Sequence, residues 1–182
     1  NNFIPLRYVS FIIPVLLFIN LIDLKRYKFS LDFWIVNIIL PSIISLSSFG
    51  QGFHYDAGLY HLNHQYWLKE SNIVIGLSNI YFPFGWSSIY EYISAFFQIG
   101  ENYILLHFVN LTFITQFFSF LYKSIYRQKD SFLKFSSIFI LLYGMLENFG
   151  IDGGRNGFIY IQSIGKFDNV FAIIFTMFNL LI

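Results

Sequence analysis

The sequence predicts an all-α membrane protein: a polytopic bundle of transmembrane helices with an extracytoplasmic loop that carries amphipathic surface helices. Of its 182 residues, 56% are hydrophobic and only 12% are charged, whereas soluble domains carry about 25% charged residues. The mean hydropathy is +0.59. Because so much apolar surface cannot be buried inside one small globule, we expect the lipid bilayer to solvate most of it.

Composition and motifs also exclude several classes of function. The net charge of +1 gives no indication of a nucleic-acid partner. The chain has no cysteine, which excludes disulfides, thiolate nucleophiles and cysteine metal sites. The Walker A, G-x-S-x-G and dinucleotide-binding fingerprints are missing from the sequence, and this argues against soluble nucleotide enzymology.

Four apolar runs are long enough to cross a bilayer, for which a helix needs about 20 residues. We expect these spans at about 3–22, 33–49, 102–122 and 132–149, with a shorter run at 170–182. Because the last run is too short to span, we expect the chain to be a fragment of a longer, multi-pass protein.

Basic residues predict the orientation of these spans, because Lys and Arg are retained on the cytoplasmic side. Seven of the eleven basic residues flank or lie within two connections: Lys25, Arg26, Lys28, Lys123, Arg127, Lys129 and Lys134. We therefore expect both basic loops to be cytoplasmic, in a cell inner (cytoplasmic) membrane. Two outer loops follow, at about 50–101 and 150–169.

The first outer loop contains two segments expected to form surface helices. Asp56 is a plausible N-cap for a helix over 57–69, in which Leu59, Leu62 and Tyr66 share one apolar face. The stretch 89–99 is apolar but short and carries Glu91, so we expect it to lie on the membrane surface. The alternative is a tilted span over 81–99, which would reverse the later spans against the basic residues.

Four polar residues of the first loop lie within eleven positions: His54, Asp56, His61 and His64. A carboxylate beside a low-dielectric surface gains proton affinity, so Asp56 is a candidate general base. His61 and His64, three residues apart, would share a helix face and could bind a divalent cation together with Asp56. Spacing alone favours a plainer interpretation, in which Asp56 caps the helix and the histidines are interfacial polar residues.

The second outer loop carries four further candidates: Asp152, Arg155, Lys166 and Asp168. Glycine-rich turns such as IDGGRNG let backbone amides approach an anion, and Arg or Lys can neutralise phosphate. We therefore predict that these four residues, together with His64, bind substrate. The alternative is an ordinary hairpin loop of mixed charge.

Three short segments carry a family resemblance: YDAGLYH at 55–61, GLSN at 76–79 and FGWSS at 84–88. In these motifs and their position after a span, the chain resembles bacterial polytopic membrane proteins of the C-type (GT-C-like) glycosyltransferase kind, over roughly residues 33–170. The resemblance implies a larger GT-C-like fold and transfer of sugar from a polyprenyl-phosphate-linked donor on the extracytoplasmic face. The acceptor would be a glycan or lipid in cell-surface polysaccharide or glycolipid assembly.

The resemblance also implies roles for individual residues. Asp56 stands where the family has its catalytic acid, and it would take the acceptor's proton in an inverting transfer, with His54 or His61 assisting. Arg155 and Lys166 would stabilise the leaving phosphate. The sequence departs from the family pattern because no second acid adjoins Asp56, so dependence on a divalent cation stays open.

Three alternatives remain at the level of sequence. An O-antigen-type polysaccharide polymerase or ligase would share the outer loops and the lipid-phosphate substrates. A transporter would carry ionisable residues near the membrane midplane, which the second and third spans lack. A non-catalytic membrane scaffold would need none of the candidate residues.

Overall fold

A computed structural model describes the chain at Val15 and Ile19 and over residues 30–46, 53, 55–72, 74–86, 88–99, 103–148 and 168–181, with 144–148 and 169 described for their backbone alone. Every element of regular secondary structure formed by these residues is a helix. The all-α class predicted from the sequence is therefore confirmed.

The first helix, α1 (Leu31–Ser45), begins where the Ser30 hydroxyl accepts a hydrogen bond from the backbone N–H of Phe33, at 3.3 Å. Its middle turn, Ile35–Ile39, is π-helical, and α-helical geometry resumes over Leu40–Ser45. Pro41 lies two residues after the end of the π-helical turn, in the first turn of the α-helical part. Because proline has no N–H to donate, it interrupts the hydrogen-bond ladder at this point.

The second helix, α2 (residues 57–70), consists of a π-helical turn, Ala57–His61, and an α-helix, Leu62–Glu70. Tyr55 and Asp56 are already helical, and Asp56 makes no side-chain capping bond. The predicted N-cap role of Asp56 is therefore wrong, because an N-cap residue must lie outside the helical backbone conformation to reach the free N–H groups. Its carboxylate is thus not committed to capping.

Two further short helices lie in the predicted first outer loop. A tight segment contains α3 (Leu77–Ile80) and a 3-10 turn, Phe82–Gly85. The helix α4 (Ile89–Phe97) follows, and the Ser88 side chain caps it. At about 1.5 Å per residue, this nine-residue helix is about 13 Å long, too short for a hydrocarbon core of about 30 Å.

Three longer apolar helices follow: α5 (Ile104–Arg127), α6 (Ser131–Asn148) and α7 (Asp168–Leu181). Among the described residues, α5 is the one helix long and apolar enough to cross a membrane by itself. Shorter apolar helices lie at Leu31–Ser45, Ser131–Tyr143 and Val170–Leu181. The polytopic arrangement therefore stays a prediction, with α5 as its best-supported span.

The helix α5 is the centre of the packing, with α1, α6 and α7 in contact with it. Ile44 of α1 joins Leu111, Ile114, Phe118 and Leu121 of α5 in one apolar cluster. At the opposite end of α1, Asp32 forms an ion pair with Arg127 and accepts a hydrogen bond from the Tyr122 hydroxyl, at 2.9 Å. The two helices are therefore antiparallel, and the loop between them emerges at the end away from Arg127.

The outer surface of the bundle is apolar while part of its interior is polar. Ile43, Phe132 and Phe175 are 57%, 74% and 71% exposed. Conversely, the side chains of Gln65, Glu91, His107 and Asn110 are buried almost completely. Contiguous apolar surface of this kind marks contact with a partner or a membrane, and it fits the predicted lipid environment.

Candidate functional site

The most distinctive polar feature of the structure is a buried carboxylate held between two histidines. Glu91 Oε1 lies 3.1 Å from Nδ1 of His61, and Glu91 Oε2 lies 2.9 Å from Nδ1 of His64. The side chain of Glu91 is 1% exposed, and those of His61 and His64 are 7% and 4% exposed. We call His61, His64 and Glu91 the His–Glu–His cluster.

The local sequence explains why these side chains meet. Residues three apart project from the same side of a helix, so His61 and His64 both face α4, which packs against α2. At the start of α4, the Ser88 hydroxyl accepts a hydrogen bond from the backbone N–H of Glu91, at 3.3 Å. Glu91 therefore lies in the first turn, where the helix dipole favours a negative charge.

Electrostatics keep Glu91 ionised despite its burial. Burial alone raises the pKa of this carboxyl group, but the hydrogen bonds and positive charge of His61 and His64 outweigh burial and hold the pKa below its ordinary value of 4.5. A carboxylate can only accept, so each imidazole donates from Nδ1. In a neutral imidazole, this arrangement leaves Nε2 as a proton acceptor.

A second group of ionisable residues lies at the start of α2. The pKa of Tyr60 is raised by partial burial of its ring and, next in size, by the negative charges of Asp56 and Asp168. Asp56 is half-buried and Asp168 is exposed. Asp168 is the first residue of α7, so the structure brings the ends of the two predicted outer loops close to the same tyrosine.

A cleft of about 240 Å³ adjoins the His–Glu–His cluster. His64 and Trp67 of α2, Tyr92 of α4 and residues 71, 72, 74 and 76–78 line it, together with Phe84 and Gly85 of the 3-10 turn. The rings of Trp67 and Phe84 meet edge to face, with their centroids 4.8 Å apart. His64 belongs to both features, so it connects the buried cluster to a space that a small ligand can enter.

The structure places only some of the predicted site residues. His61 and His64 share the His–Glu–His cluster, whereas Asp56 and Asp168 lie near Tyr60. His54, Asp152, Arg155 and Lys166 lie outside the described residues. The catalytic and substrate-binding roles assigned to all eight residues therefore stay predictions.

The candidate cation site receives no geometric support. In the described part of the chain, no three His, Cys, Asp or Glu side chains are placed to share a metal ion. The Nδ1 atoms of both His61 and His64 are already engaged with Glu91. Any ion bound by these histidines would have to use their Nε2 atoms.

Sequence reasoning missed the role of Glu91, although a signal was present. Glu91 is the one carboxylate in the apolar stretch 89–99, and a carboxylate in such a stretch needs a partner or water. In the sequence alone, Glu91 indicates only that the stretch does not span. Its partners could not be identified because they precede it by 27 and 30 residues.

The three quoted motifs converge on this site. The first, at 55–61, contains Asp56 and His61. The second, at 76–79, contributes Gly76, Leu77 and Ser78 to the cleft wall. The third, at 84–88, contributes Phe84 and Gly85 to the wall and the capping residue of α4.

Comparison with known proteins identifies the family of this chain. Residues 7–152 match a family described as a domain of unknown function (DUF8201). No curated protein and no solved structure matches the chain. Since the match spans most of the 182 residues, the chain belongs to this family, DUF8201.

Proposed function

We propose that this protein is a membrane glycosyltransferase that uses a polyprenyl-phosphate-linked sugar donor on the extracytoplasmic face. The observation that carries the proposal is the His–Glu–His cluster beside a ligand-sized cleft. Apolar residues of similar volume often stabilise a core as well as a buried ion pair does. Buried ionisable groups with specific partners beside a cleft are therefore candidates for a functional site.

The geometry supports a pair of proton acceptors. Glu91 fixes the orientation of His64 by accepting its Nδ1–H, as the buried aspartate does for the histidine of a Ser-His-Asp triad. His64 lines the cleft and Glu91 does not. The geometry therefore favours His64 Nε2 as the general base that takes the proton from the hydroxyl group of the sugar acceptor. The family resemblance favours Asp56 for the same role.

The reaction balances with either base. The base takes the proton from the acceptor hydroxyl, and that oxygen forms a bond to the anomeric carbon of the donor sugar. The bond from this carbon to the phosphate oxygen breaks, and the polyprenyl phosphate leaves with the electron pair. Cationic groups would stabilise the leaving phosphate, and Arg155 and Lys166 are the candidates in this sequence.

The proximity of the two outer loops supports a single site. Asp168 lies close enough to Tyr60 for its charge to raise the pKa of the phenol. This effect is compatible with Asp56 and Asp168 bordering one substrate.

A transfer assay tests the proposal. Membranes containing the protein are incubated with labelled short-chain polyprenyl-phosphate hexoses and N-acetylhexosamines. The variants Asp56→Asn, His64→Gln and Glu91→Gln are each compared with the control variant Glu70→Gln. Glu70 lies at the end of α2, where it pairs with Lys69. Loss of a general base lowers the rate by about 100-fold or more, whereas the control should transfer normally.

The pattern of losses identifies the base. A rate lost in His64→Gln and Glu91→Gln but retained in Asp56→Asn assigns the base to His64, and the reverse pattern assigns it to Asp56. Transfer at the normal rate in all three variants would remove the site assignment. If the unmodified protein transfers sugar from none of the donors in the panel, the proposed function is overturned.

A further inference from the structure

The cleft beside His64 has the lining of a site for a small uncharged ligand. Among its described lining residues there is no carboxylate, lysine or arginine, and His64 and Tyr92 are the ionisable groups. Lys69 and Glu70, at the end of α2, pair with each other at 3.5 Å. Glu91 already balances the charge of His64, so a charged ligand would enter this cleft without a free counter-ion in the described lining.

Polar and aromatic groups share the cleft wall. Ser71, Asn72 and Ser78 supply hydroxyl and amide groups, and none of these side chains forms a hydrogen bond within the described part of the chain. Trp67 and Phe84 supply aromatic surface. A ligand that matches this wall must offer hydroxyl groups at its edge and an apolar face of C–H groups.

The volume limits the ligand to about one ring. Pockets for drug-sized ligands occupy about 300 to 1,000 Å³, and this cleft has a volume of about 240 Å³. A polyprenyl chain would need a longer and wholly apolar groove. A single pyranose ring satisfies the limits on size, charge and amphipathic shape together.

The backbone of the wall is closely packed and therefore preorganised. Gly76 has a φ of +88°, a conformation that L side chains rarely adopt. A Cβ added to Gly85 would lie 3.2 Å from the Cβ of Ser78. The 3-10 turn thus lies directly against the segment that carries Ser78, which reduces the ordering cost of binding.

We propose that the cleft of Trp67, Asn72, Ser78 and Phe84 binds one uncharged pyranose ring, either a hexose or an N-acetylhexosamine. This inference rests on the proposed function and adds the class of sugar and the residues that recognise it. With the ring held here, the hydroxyl groups at its edge come within reach of His64. Because its described lining supplies no free counter-ion, the cleft selects neutral sugars over uronic acids.

Tryptophan fluorescence tests this without any transfer reaction. The sequence has three tryptophans, and only Trp67 lines the cleft. The Trp34→Phe/Trp86→Phe double variant, in lipid nanodiscs, leaves Trp67 as the reporter. It is titrated with methyl β-glucoside, methyl N-acetyl-β-glucosaminide and methyl β-glucuronide. We expect a saturable change with one or both neutral glycosides and none with the glucuronide.

Matched variants connect the signal to the cleft. In the Trp67-only protein, Asn72→Ala or Ser78→Ala should weaken binding by about tenfold, the effect of losing one good hydrogen bond. Asn63→Ala should not, because the Asn63 amide bonds to carbonyls of its own helix. Proteins that retain only Trp34 or only Trp86 should show no saturable change.

The outcomes separate this inference from the proposed function. Saturable binding by the Trp67-only protein, without transfer from any lipid-linked donor, supports the sugar cleft and contradicts the transferase. Normal transfer in Trp67→Phe and Asn72→Ala, with no saturable Trp67 signal, overturns the sugar cleft and leaves the transferase intact. Equal signals from the Trp67-only and Trp86-only proteins would also overturn the cleft assignment.

Discussion

Glu91 Oε2 lies 2.9 Å from Nδ1 of His64, and both side chains are almost fully buried. This contact joins two helices that the 3-10 turn and α3 separate in sequence. The linkage is ionic and hydrogen-bonded, and it accompanies the packing of α4 on α2.

Replacing the buried acid should destabilise the protein. In Glu91→Gln the charge is lost while its two imidazole partners stay buried, and breaking a buried pair typically costs about 3 kcal/mol or more. We expect a clear drop in Tm in detergent solution, measured by intrinsic fluorescence. Glu70→Gln, which alters the weaker pair with Lys69, should leave Tm nearly unchanged. Equal Tm values for the two variants would contradict the structural role of Glu91.

The stability contributed by Glu91 should depend on pH with a definite sign. The folded protein holds the pKa of Glu91 below 4.5, so folding favours the ionised form. The corresponding stabilisation is complete above the ordinary pKa and is lost as the pH falls through the folded pKa. The difference in Tm between the unmodified protein and Glu91→Gln should therefore become smaller as the pH falls from about 6 to about 3. This range extends about one and a half pH units on each side of the ordinary pKa of a glutamate. A difference that widens on acidification would reverse the assignment.

The two histidines should act cooperatively. Both bind the same carboxylate, through separate oxygens, so loss of one changes the charge balance felt by the other. In a double-mutant cycle of His61→Gln and His64→Gln, we expect a coupling energy of about 0.5 to 3 kcal/mol. Pairing Asn63→Ala with His64→Gln gives the control cycle, because the Asn63 amide bonds only to carbonyls of its own helix in the described residues. Additive effects in the first cycle would show that the histidines act independently.

Substitution of alanine at two glycines should change the stability of the protein in different ways. Gly76 has a φ of +88°, and a Cβ there would lie 3.3 Å from Asn79 Nδ2, so Gly76→Ala should cost about 1 to 2 kcal/mol. Gly58 lies in the helical π-turn with nothing within 4 Å of an added Cβ. Gly58→Ala should therefore be neutral or stabilise by up to about 1 kcal/mol. Thermal unfolding of both variants measures the difference, and similar losses of stability would contradict it.

Topology can be tested directly because the chain has no cysteine. Asn72 and Lys129 are both exposed and lie in the predicted outer loop and in a predicted cytoplasmic connection, respectively. An impermeant maleimide should label Asn72→Cys in intact cells and Lys129→Cys only after the inner face is opened. The opposite pattern would invert the predicted topology, and labelling of both positions in intact cells would contradict it.

The sequence predicts the class of this fold better than its local details. Hydropathy locates the apolar helices because a bilayer-sized run is a strong signal. It does not indicate the π-helical turns at Ile35–Ile39 and Ala57–His61, because they depend on local hydrogen-bond geometry. The sequence pattern also misassigned Asp56 as a cap, because Tyr55 and Asp56 themselves already have a helical backbone.

The candidate site is predictable only in part. His61 and His64 are recognisable as a pair because their spacing fits one helix face. Glu91 joins them only through the packing of α4 on α2, a tertiary contact that spacing along the chain cannot reveal. The cleft is less predictable still, because Gly76 and Gly85 matter through a positive φ and a close approach rather than through any functional group.

The separation of the His–Glu–His cluster along the chain affects how the protein is made. His61 precedes Glu91 by 30 residues, so α2 is synthesised before the acid that completes its buried face. Until α4 follows, the imidazoles have only water or the translocation machinery as partners. Chains that end before Glu91 should therefore lack the contact that joins α2 to α4. The two helices can dock in this arrangement only after the whole segment from His61 to Glu91 has been made.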